Sequence, residues 1–296
     1  MVRTFASLGL VAWLAMACGG RVSDLTDDGG GTHDGGPPPG SQDGGPTPGF
    51  DGGFLDATPP PPPPPQVVHR GYVVLESTLD NRTYASATFF DNAAPECAFM
   101  APASGCSIQT CATNSGQANA GVITIRGGTQ EVSLVPGAGP SAQYKPFDMA
   151  GLTFPSGSTL TITGAGGVVP GFQGSLVFPA ALDVLTPNIA MGQTTIIDSS
   201  TDLVVGWNGG TGQTLVYLQS DAGNGSFLSL GCWFDEGAHK AVVPSALLRS
   251  FKSQMARAQN TYLLVFPTAR STVVNGGWGV ELFAVGQGPI GQASVR

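Results

Sequence analysis

From Val67 to the C-terminus the chain is a series of short runs in which apolar and polar residues alternate, separated by clusters of Gly, Pro, Asn or Asp. A period of two is typical of a strand with one buried face, and the Gly and Pro clusters mark the turns between strands. The clearest runs are 121–126, 159–163, 203–207, 213–219, 227–234, 261–266 and 278–285. About a dozen such runs at hairpin spacing predict an all-β fold of antiparallel sheets packed as one or more sandwiches.

One segment departs from this pattern and predicts a single short amphipathic helix. Pro244 suits the first turn of a helix, and we expect the helix to end near Asn260. The apolar residues that share one helical face are Leu247, Leu248, Phe251 and Met255. The opposite face carries Arg249, Lys252 and Arg257. We interpret this basic stripe as a solvated face rather than a docking site for an anionic partner.

The N-terminus has the pattern of an export signal. Arg3 precedes an apolar block at 5–17, which is too short to cross ~30 Å of hydrocarbon as a helix. The segment LAMAC at 14–18 resembles the lipobox of bacterial lipoproteins. This resemblance implies a signal peptide at 1–17, cleavage before Cys18 and acylation of the Cys18 thiol. The alternative is a plain secretory signal that leaves Cys18 unmodified.

If Cys18 is acylated, the chain is held on a lipid bilayer. Two or more acyl chains, at ~0.8 kcal/mol per buried CH₂, anchor a protein stably where a single chain does not. In bacterial lipoproteins the residue after the cysteine influences sorting, and Gly19 implies the outer membrane.

Residues 18–66 comprise the lipidated N-terminus and a tether. Residues 19–66 hold seven Asp and one Arg, which gives this stretch a net charge of −6. Asp-Gly-Gly recurs four times at irregular spacing, and seven prolines fill 59–65. Such a composition cannot bury enough apolar surface to offset the entropy of ordering, so we predict a disordered spacer. Calcium binding by the Asp-Gly-Gly units is the alternative.

Two parts of the folded region are expected, 67–180 as a β-sandwich half or domain and 181–296 as a second sandwich. Pro179 and Pro187 flank the first apolar run of the second part, and Trp207 ends the next run. A proline-led strand followed by a strand with a Trp resembles the start of a fibronectin type III or immunoglobulin-like sandwich. The resemblance implies that fold for 181–296.

The remaining four cysteines, Cys97, Cys106, Cys111 and Cys232, fit an oxidising compartment. If 106–111 is a strand, Cys106 and Cys111 point to opposite faces and do not pair. We therefore expect Cys97 to pair with Cys106, and Cys111 with Cys232. Free buried thiols are the alternative.

The richest candidate for chemistry is the stretch that contains Asp235, Glu236 and His239. Two carboxylates and an imidazole could bind a metal ion or act as acid and base. The competing interpretation, which we favour, is a turn in a hairpin between a strand ending at Phe234 and one at 241–243. We predict no catalytic residues and no cofactor.

Three aromatic residues, Trp233, Trp278 and Tyr262, could stack against sugar rings if they were exposed. Each lies in an alternating run, however, where burial in the core is the more common outcome. We therefore expect all three to contribute to the core.

Charge and architecture together suggest a function. The region from Val67 carries ten bases and thirteen acids, a weakly acidic balance that argues against nucleic acid as a partner. The leading hypothesis is a non-enzymatic, outer-membrane lipoprotein whose β-sandwich makes structural or adhesive contacts with an envelope protein or glycan. The alternatives are a metal-dependent hydrolase of the envelope that uses the 235–239 turn and a subunit of an envelope complex.

Overall fold

A computed structural model describes residues 67–91, 97–99, 105–111, 118–138, 144–190, 192–223, 226–255 and 261–296. At 97–99, 111, 221–223 and 226 it describes the backbone alone. The signal peptide, Cys18 and the tether, all predicted within 1–66, lie outside the described residues.

The described residues form β-strands and a helix. The strands are β1 (His69–Ser77), β2 (Arg82–Phe90), β3 (Cys97–Phe99), β4 (Cys106–Cys111), β5 (Ile123–Arg126), β6 (Val132–Leu134), β7 (Phe147–Ala150), β8 (Thr159–Gly164), β9 (Phe172–Val177), β10 (Leu182–Thr186), β11 (Thr194–Ile197), β12 (Leu203–Gly209), β13 (Gln213–Gly223), β14 (Ser226–Phe234), β15 (Lys240–Val243), β16 (Thr261–Asn275), β17 (Trp278–Val285) and β18 (Ile290–Val295). The helix is α1 (Ser245–Gln254). The predicted all-β class, with mostly antiparallel sheets and a short helix, is confirmed.

Three sheets make up the fold. The largest has eleven strands and runs β3-β4-β14-β13-β16-β17-β1-β2-β7, with β18 and β11 extending from β16. A four-stranded sheet runs β6-β5-β8-β9, and a three-stranded sheet runs β10-β12-β15. Two pairs, β1 with β17 and β11 with β18, are parallel. The largest sheet therefore contains strands from both 67–180 and 181–296.

The largest sheet bends sharply along β16. The first half of β16 pairs with β13 up to Thr268, and its second half pairs with β17 from Thr268 onward. Trp233 on β14 and Phe283 on β17 have ring centroids 5.7 Å apart. In a flat sheet these strands, three positions apart, would be separated by about 14 Å. The sheet must therefore be bent at β16, so that side chains of β14 and β17 meet.

The core consists of three apolar clusters. The first lies between the four-stranded sheet and the β17-β1-β2 end of the large sheet. The second lies between the β4-β14-β13-β16 end, the three-stranded sheet and α1. The third, which we call the central cluster, joins Tyr72, Leu215, Leu264 and Phe283 across the bend. Because strands such as β1 and β13 are buried on both faces, 71–77 and 214–220 are buried throughout.

The hairpin predicted around 235–239 is wrong, although the turn itself is present. β14 pairs on one side with β13 and on the other with β4, so neither edge is available to β15. After the turn the chain crosses to the three-stranded sheet, where β15 pairs antiparallel with β12. The turn therefore connects two layers rather than two neighbouring strands.

The predicted helix is present as α1, but Pro244 is its N-cap rather than part of its first turn, and the Ser245 amide donates a hydrogen bond to Asp202 Oδ1 at 2.8 Å. Leu247, Leu248 and Phe251 are buried against the second cluster. The helix ends at Gln254, earlier than expected, and the backbone of Met255 is extended. Within the described residues no helix has the length and apolar character needed to cross a membrane.

Gly127 is a position where a side chain cannot be accommodated. It has φ +99°, and a Cβ built there would lie 2.1 Å from the Thr159 carbonyl oxygen. Gly157 has a similar φ of +76°, but a Cβ there meets nothing within 4 Å. Substitutions at Gly127 and Gly157 therefore distinguish two contributions to stability: the strain of a left-handed backbone, which both positions have, and the steric clash, which only Gly127 has.

We expect Gly127→Ala to lower the free energy of unfolding by about 2 to 4 kcal/mol, and Gly157→Ala by about 1 kcal/mol. The first variant meets both the φ strain and the clash with backbone, whereas the second meets only the strain. Urea denaturation of both variants measures the difference. Equal losses would contradict the clash at Thr159.

Candidate functional site

The turn at 235–239 exposes its polar side chains to solvent. The Ala238 amide donates to the Asp235 carbonyl at 3.1 Å, and the His239 carbonyl accepts from the Trp207 amide at 3.0 Å. Asp235, Glu236 and His239 are all exposed. Among the residues that the structure describes, no group of three or more His, Cys, Asp or Glu side chains could hold a metal ion.

The disulfide in the structure differs from the predicted pairing. Cys106 on β4 is bonded to Cys232 on β14, with Cα atoms 4.0 Å apart. The predicted pairs Cys97–Cys106 and Cys111–Cys232 are wrong. The reason is strand register, which places Cys106 opposite Cys232 and Cys111 opposite Phe227 at the other end of the pair. The expectation that Cys106 does not pair with Cys111 is met by the 106–232 bond.

The other two cysteines are also at matched positions. In the antiparallel register of β3 and β4, Cys97 is directly opposite Cys111. Directly opposite residues in such a pair have Cβ atoms about 4.5 to 5.5 Å apart, and the lower end of this range meets the upper limit of about 4.5 Å for a disulfide. The register therefore favours a second cross-strand bond on the other edge of β4.

We predict that peptide mapping of the non-reduced protein by mass spectrometry will yield a Cys97–Cys111 cross-link beside the Cys106–Cys232 cross-link. Thiol labelling of the denatured, non-reduced mature chain should then find none of these four thiols free. Recovery of Cys97 and Cys111 as free thiols would contradict the prediction.

The three aromatic residues considered for sugar stacking are held by the protein. Trp278 is buried and stacks on His69 at 4.8 Å between ring centroids. Trp233 and Tyr262 are half-buried against the central cluster. Trp278 therefore has no ring face open to a sugar, and Arg270 lies over the ring of Trp233.

The outward face of the three-stranded sheet exposes aliphatic side chains. Val204 on β12 and Val242 on β15 are directly opposite each other and are 38% and 43% exposed. Leu185, at the bulge in β10, is 63% exposed. Lys240 and Asp183 are exposed on the same sheet. We call Leu185, Val204 and Val242 the outer patch.

A surface cleft of about 370 Å³ lies where β9, the β12–β13 turn, the 235–239 turn and β16 come together. Its apolar lining includes Leu176, Pro179 and Ala269, and its polar groups come from Thr211, Glu236 and Arg270. The close approach of the β12–β13 turn to β16 requires Gly212, because a Cβ there would lie 2.4 Å from the Thr268 carbonyl oxygen.

One buried carboxyl group is electrostatically unusual. Glu76 on β1 is 2% exposed, and its Oε2 has no hydrogen-bond partner. Burial, with a smaller contribution from the charge of Asp80, raises the pKa of Glu76 from 4.5 to about 8. Glu76 is therefore protonated in the folded protein at neutral pH.

Sequence patterns did not single out Arg270 or the outer patch. Arg270 lies in the second half of β16, beyond the apolar run that marks the strand, and only the bend brings it over Trp233. The outer patch comes from strands far apart in sequence, so no local pattern unites its residues. A signal was present in β12, where Val204 and Val205 are adjacent although a strand places them on opposite faces.

Comparison with known proteins adds a few distant similarities. No family model and no curated protein matches the chain. A Ca²⁺-stabilised adhesin with which an Antarctic bacterium binds ice is 13% identical over 66% of this chain and 45% of its own, with a TM-score of 0.19. The FN1–FN3 domains of chicken CNTN1 are 7% identical over 75% of this chain and 65% of their own, with a TM-score of 0.19. A 1.5-MDa bacterial ice-binding adhesin is 12% identical over 73% of this chain and 75% of its own, with a TM-score of 0.15.

The alignments thus cover less than two thirds of the first two solved chains.

Proposed function

We propose that this protein is a non-enzymatic contact module of the bacterial envelope that binds another protein through the outer patch. The observation that carries the proposal is the exposed cross-strand pair Val204 and Val242, with exposed Leu185 on the same three-stranded sheet, whose other face is buried. Contiguous apolar surface on a folded domain marks sites of protein contact. Aliphatic side chains on the open face of a sheet favour a protein partner, because they are buried by packing against apolar side chains of another protein.

The edges of the three-stranded sheet support the same proposal. β10 and β15 each pair only with β12 in this sheet. The Leu182 amide of β10 already donates to the Gln287 carbonyl at 3.0 Å, so the outer edge of β15 is the one that we expect to offer backbone donors and acceptors to a partner. Lys240 and Asp183 provide charges of both signs beside the outer patch, which suits the polar rim of a protein interface.

Photo-crosslinking in the producing cell tests this contact. A photoreactive residue at position 242 of the full-length protein should give a discrete adduct with one partner. The matched control is Val122, which is 41% exposed on the opposite outer layer and should give none. Val204→Glu, placed across from position 242, should reduce the adduct severalfold. Equal adducts at 242 and 122, or no adduct at 242, would count against the outer patch.

The proposal places the module on a membrane through acylated Cys18. This part rests on the lipobox resemblance at 14–18 and on the Gly- and Pro-rich stretch after it. Labelled palmitate should be incorporated into the wild-type chain and not into Cys18→Ala. Protease treatment of intact cells then distinguishes an outward-facing module from a periplasmic one. An unlabelled wild-type chain released into the medium would contradict anchoring.

A further inference from the structure

The cleft between β9 and β16 contains Arg270, a cation that has no carboxylate partner among the described residues. The Arg270 guanidinium carbon lies 5.5 Å from the centroid of the Trp233 ring, and Trp233 is fixed edge-to-face on Phe283 at 5.7 Å. None of the ion pairs found among the described residues involves Arg270. An arginine that lies over an aromatic ring still has N–H groups directed away from the ring. Two of these N–H groups can donate side by side to the two oxygens of a carboxylate.

Two further polar groups line the same cleft. Glu236 reaches it from the exposed 235–239 turn and lies beyond ion-pair distance of Arg270. Thr211 Oγ1 accepts a hydrogen bond from the Ala180 amide at 2.9 Å, which leaves the hydroxyl proton available to a ligand. The cleft therefore combines Arg270, which can bind a carboxylate, with Glu236 as a hydrogen-bond acceptor and Thr211 as a hydroxyl donor. The rest of its lining is mainly apolar.

This combination defines a ligand class. A bound molecule needs a carboxylate for Arg270, hydroxyl groups that donate to Glu236 or accept from Thr211, and an apolar side for Leu176, Pro179 and Ala269. The cleft volume of about 370 Å³ is at the lower end of the range for small-ligand sites. A sugar acid meets each requirement, since its ring has an apolar C–H side and its rim carries hydroxyls and a carboxylate.

We propose that this cleft binds a hexuronate residue of an acidic polysaccharide. The site is separate from the outer patch and does not depend on a protein partner there. Arg270 binds the carboxylate in a bidentate manner, and Glu236 accepts from ring hydroxyls. Binding weakens as the salt concentration rises, because the Arg270 contact is between exposed charges.

Calorimetric titration of the full-length protein with trigalacturonate tests the proposal, with the methyl-esterified trisaccharide as a matched control that lacks the charges. We expect binding of the acid and at least tenfold weaker binding of the ester. Arg270→Gln should weaken binding of the acid at least tenfold, whereas Arg249→Gln, an equal charge change on the exposed face of α1, should leave it unchanged. Arg270→Lys should recover only part of the affinity, since an ammonium group cannot make the bidentate contact.

Thermal unfolding checks that Arg270→Gln remains folded. If it does not, Glu236→Gln serves in its place, because this residue lies in an exposed turn, and it should weaken binding severalfold. Equal binding of acid and ester, no binding of the acid, or an unchanged affinity in Arg270→Gln would overturn the proposal. So would free glutamate displacing the trisaccharide at comparable concentration, since the cleft would then select an amino acid. None of these results bears on the adduct at position 242, so the two proposals fail independently.

Discussion

Replacing Cys106 and Cys232 together by alanine is expected to lower the free energy of unfolding by about 4 to 5 kcal/mol. The two residues are 126 positions apart in the chain, and a cross-link over that distance removes much entropy from the unfolded state. Chain-entropy estimates give about 4.7 kcal/mol for a loop of about 100 residues. Cys232 and Cys106 are also buried in the second cluster, so their loss removes apolar contacts there.

Denaturation in urea, with and without a reducing agent, measures this effect. The wild-type protein should lose stability on reduction, whereas Cys106→Ala/Cys232→Ala should respond much less. Cys97→Ala/Cys111→Ala is the matched control, because its residues are separated by only 14 positions in the chain. By the same relation that control should lose about 3 kcal/mol or less. If Cys106→Ala/Cys232→Ala lowered the free energy of unfolding no more than the control does, the disulfide between Cys106 and Cys232 would be contradicted.

Glu76→Gln is expected to change the pH dependence of stability. The pKa of Glu76 is raised in the folded protein from 4.5 to about 8, since its carboxyl group is buried and faces the charge of Asp80. Below about pH 4.5 the group is protonated in both states, and its contribution to stability is fully present. Between about pH 4.5 and 8 the unfolded chain loses this proton while the folded chain keeps it, so stability falls as pH rises. Above about pH 8 both states are ionised and the loss is complete.

The size of that loss is on the order of 4 to 5 kcal/mol, because each pKa unit corresponds to about 1.4 kcal/mol. A glutamine at position 76 has no proton to lose, so the variant should be the more stable protein at pH 8.5 and close to the wild type at pH 4. The measurement is the free energy of unfolding at a series of pH values. Asp235→Asn, which removes an exposed carboxylate, should keep the wild-type profile. Parallel profiles for wild type and Glu76→Gln between pH 4.5 and 8 would contradict the assigned burial.

The strand pattern was largely predictable, and its limits have a physical origin. The alternation of apolar and polar residues predicted β8, β12 and β14, because successive side chains of a strand point to opposite faces, one buried and one exposed. The same alternation suggested a hairpin through 235–239, which the fold does not form. Whether two consecutive strands pair depends on which strand edges are already taken, and β4, far away in the sequence, takes the edge of β14.

The candidate site was less predictable for the same reason. Asp235, Glu236 and His239 attracted attention because they are close in sequence, yet only Glu236 lines the cleft. The cation that faces that cleft, Arg270, is more than thirty residues away along the chain. Its position over Trp233 depends on the bend in β16, and Pro267 marks an irregularity in that strand without determining which side chains the bend brings together.

The sequence by itself determined the strand-rich class of this protein and the helix after Pro244, because both result from the local spacing of apolar residues. The residues at 1–18 also predict an export signal, and the composition of 19–66 predicts a disordered tether. The tertiary structure alone decided that Cys106 bonds to Cys232, that Glu76 is buried and that Arg270 faces a cleft. These outcomes depend on register and on the folding of one sheet upon itself, which bring together residues that are distant along the chain.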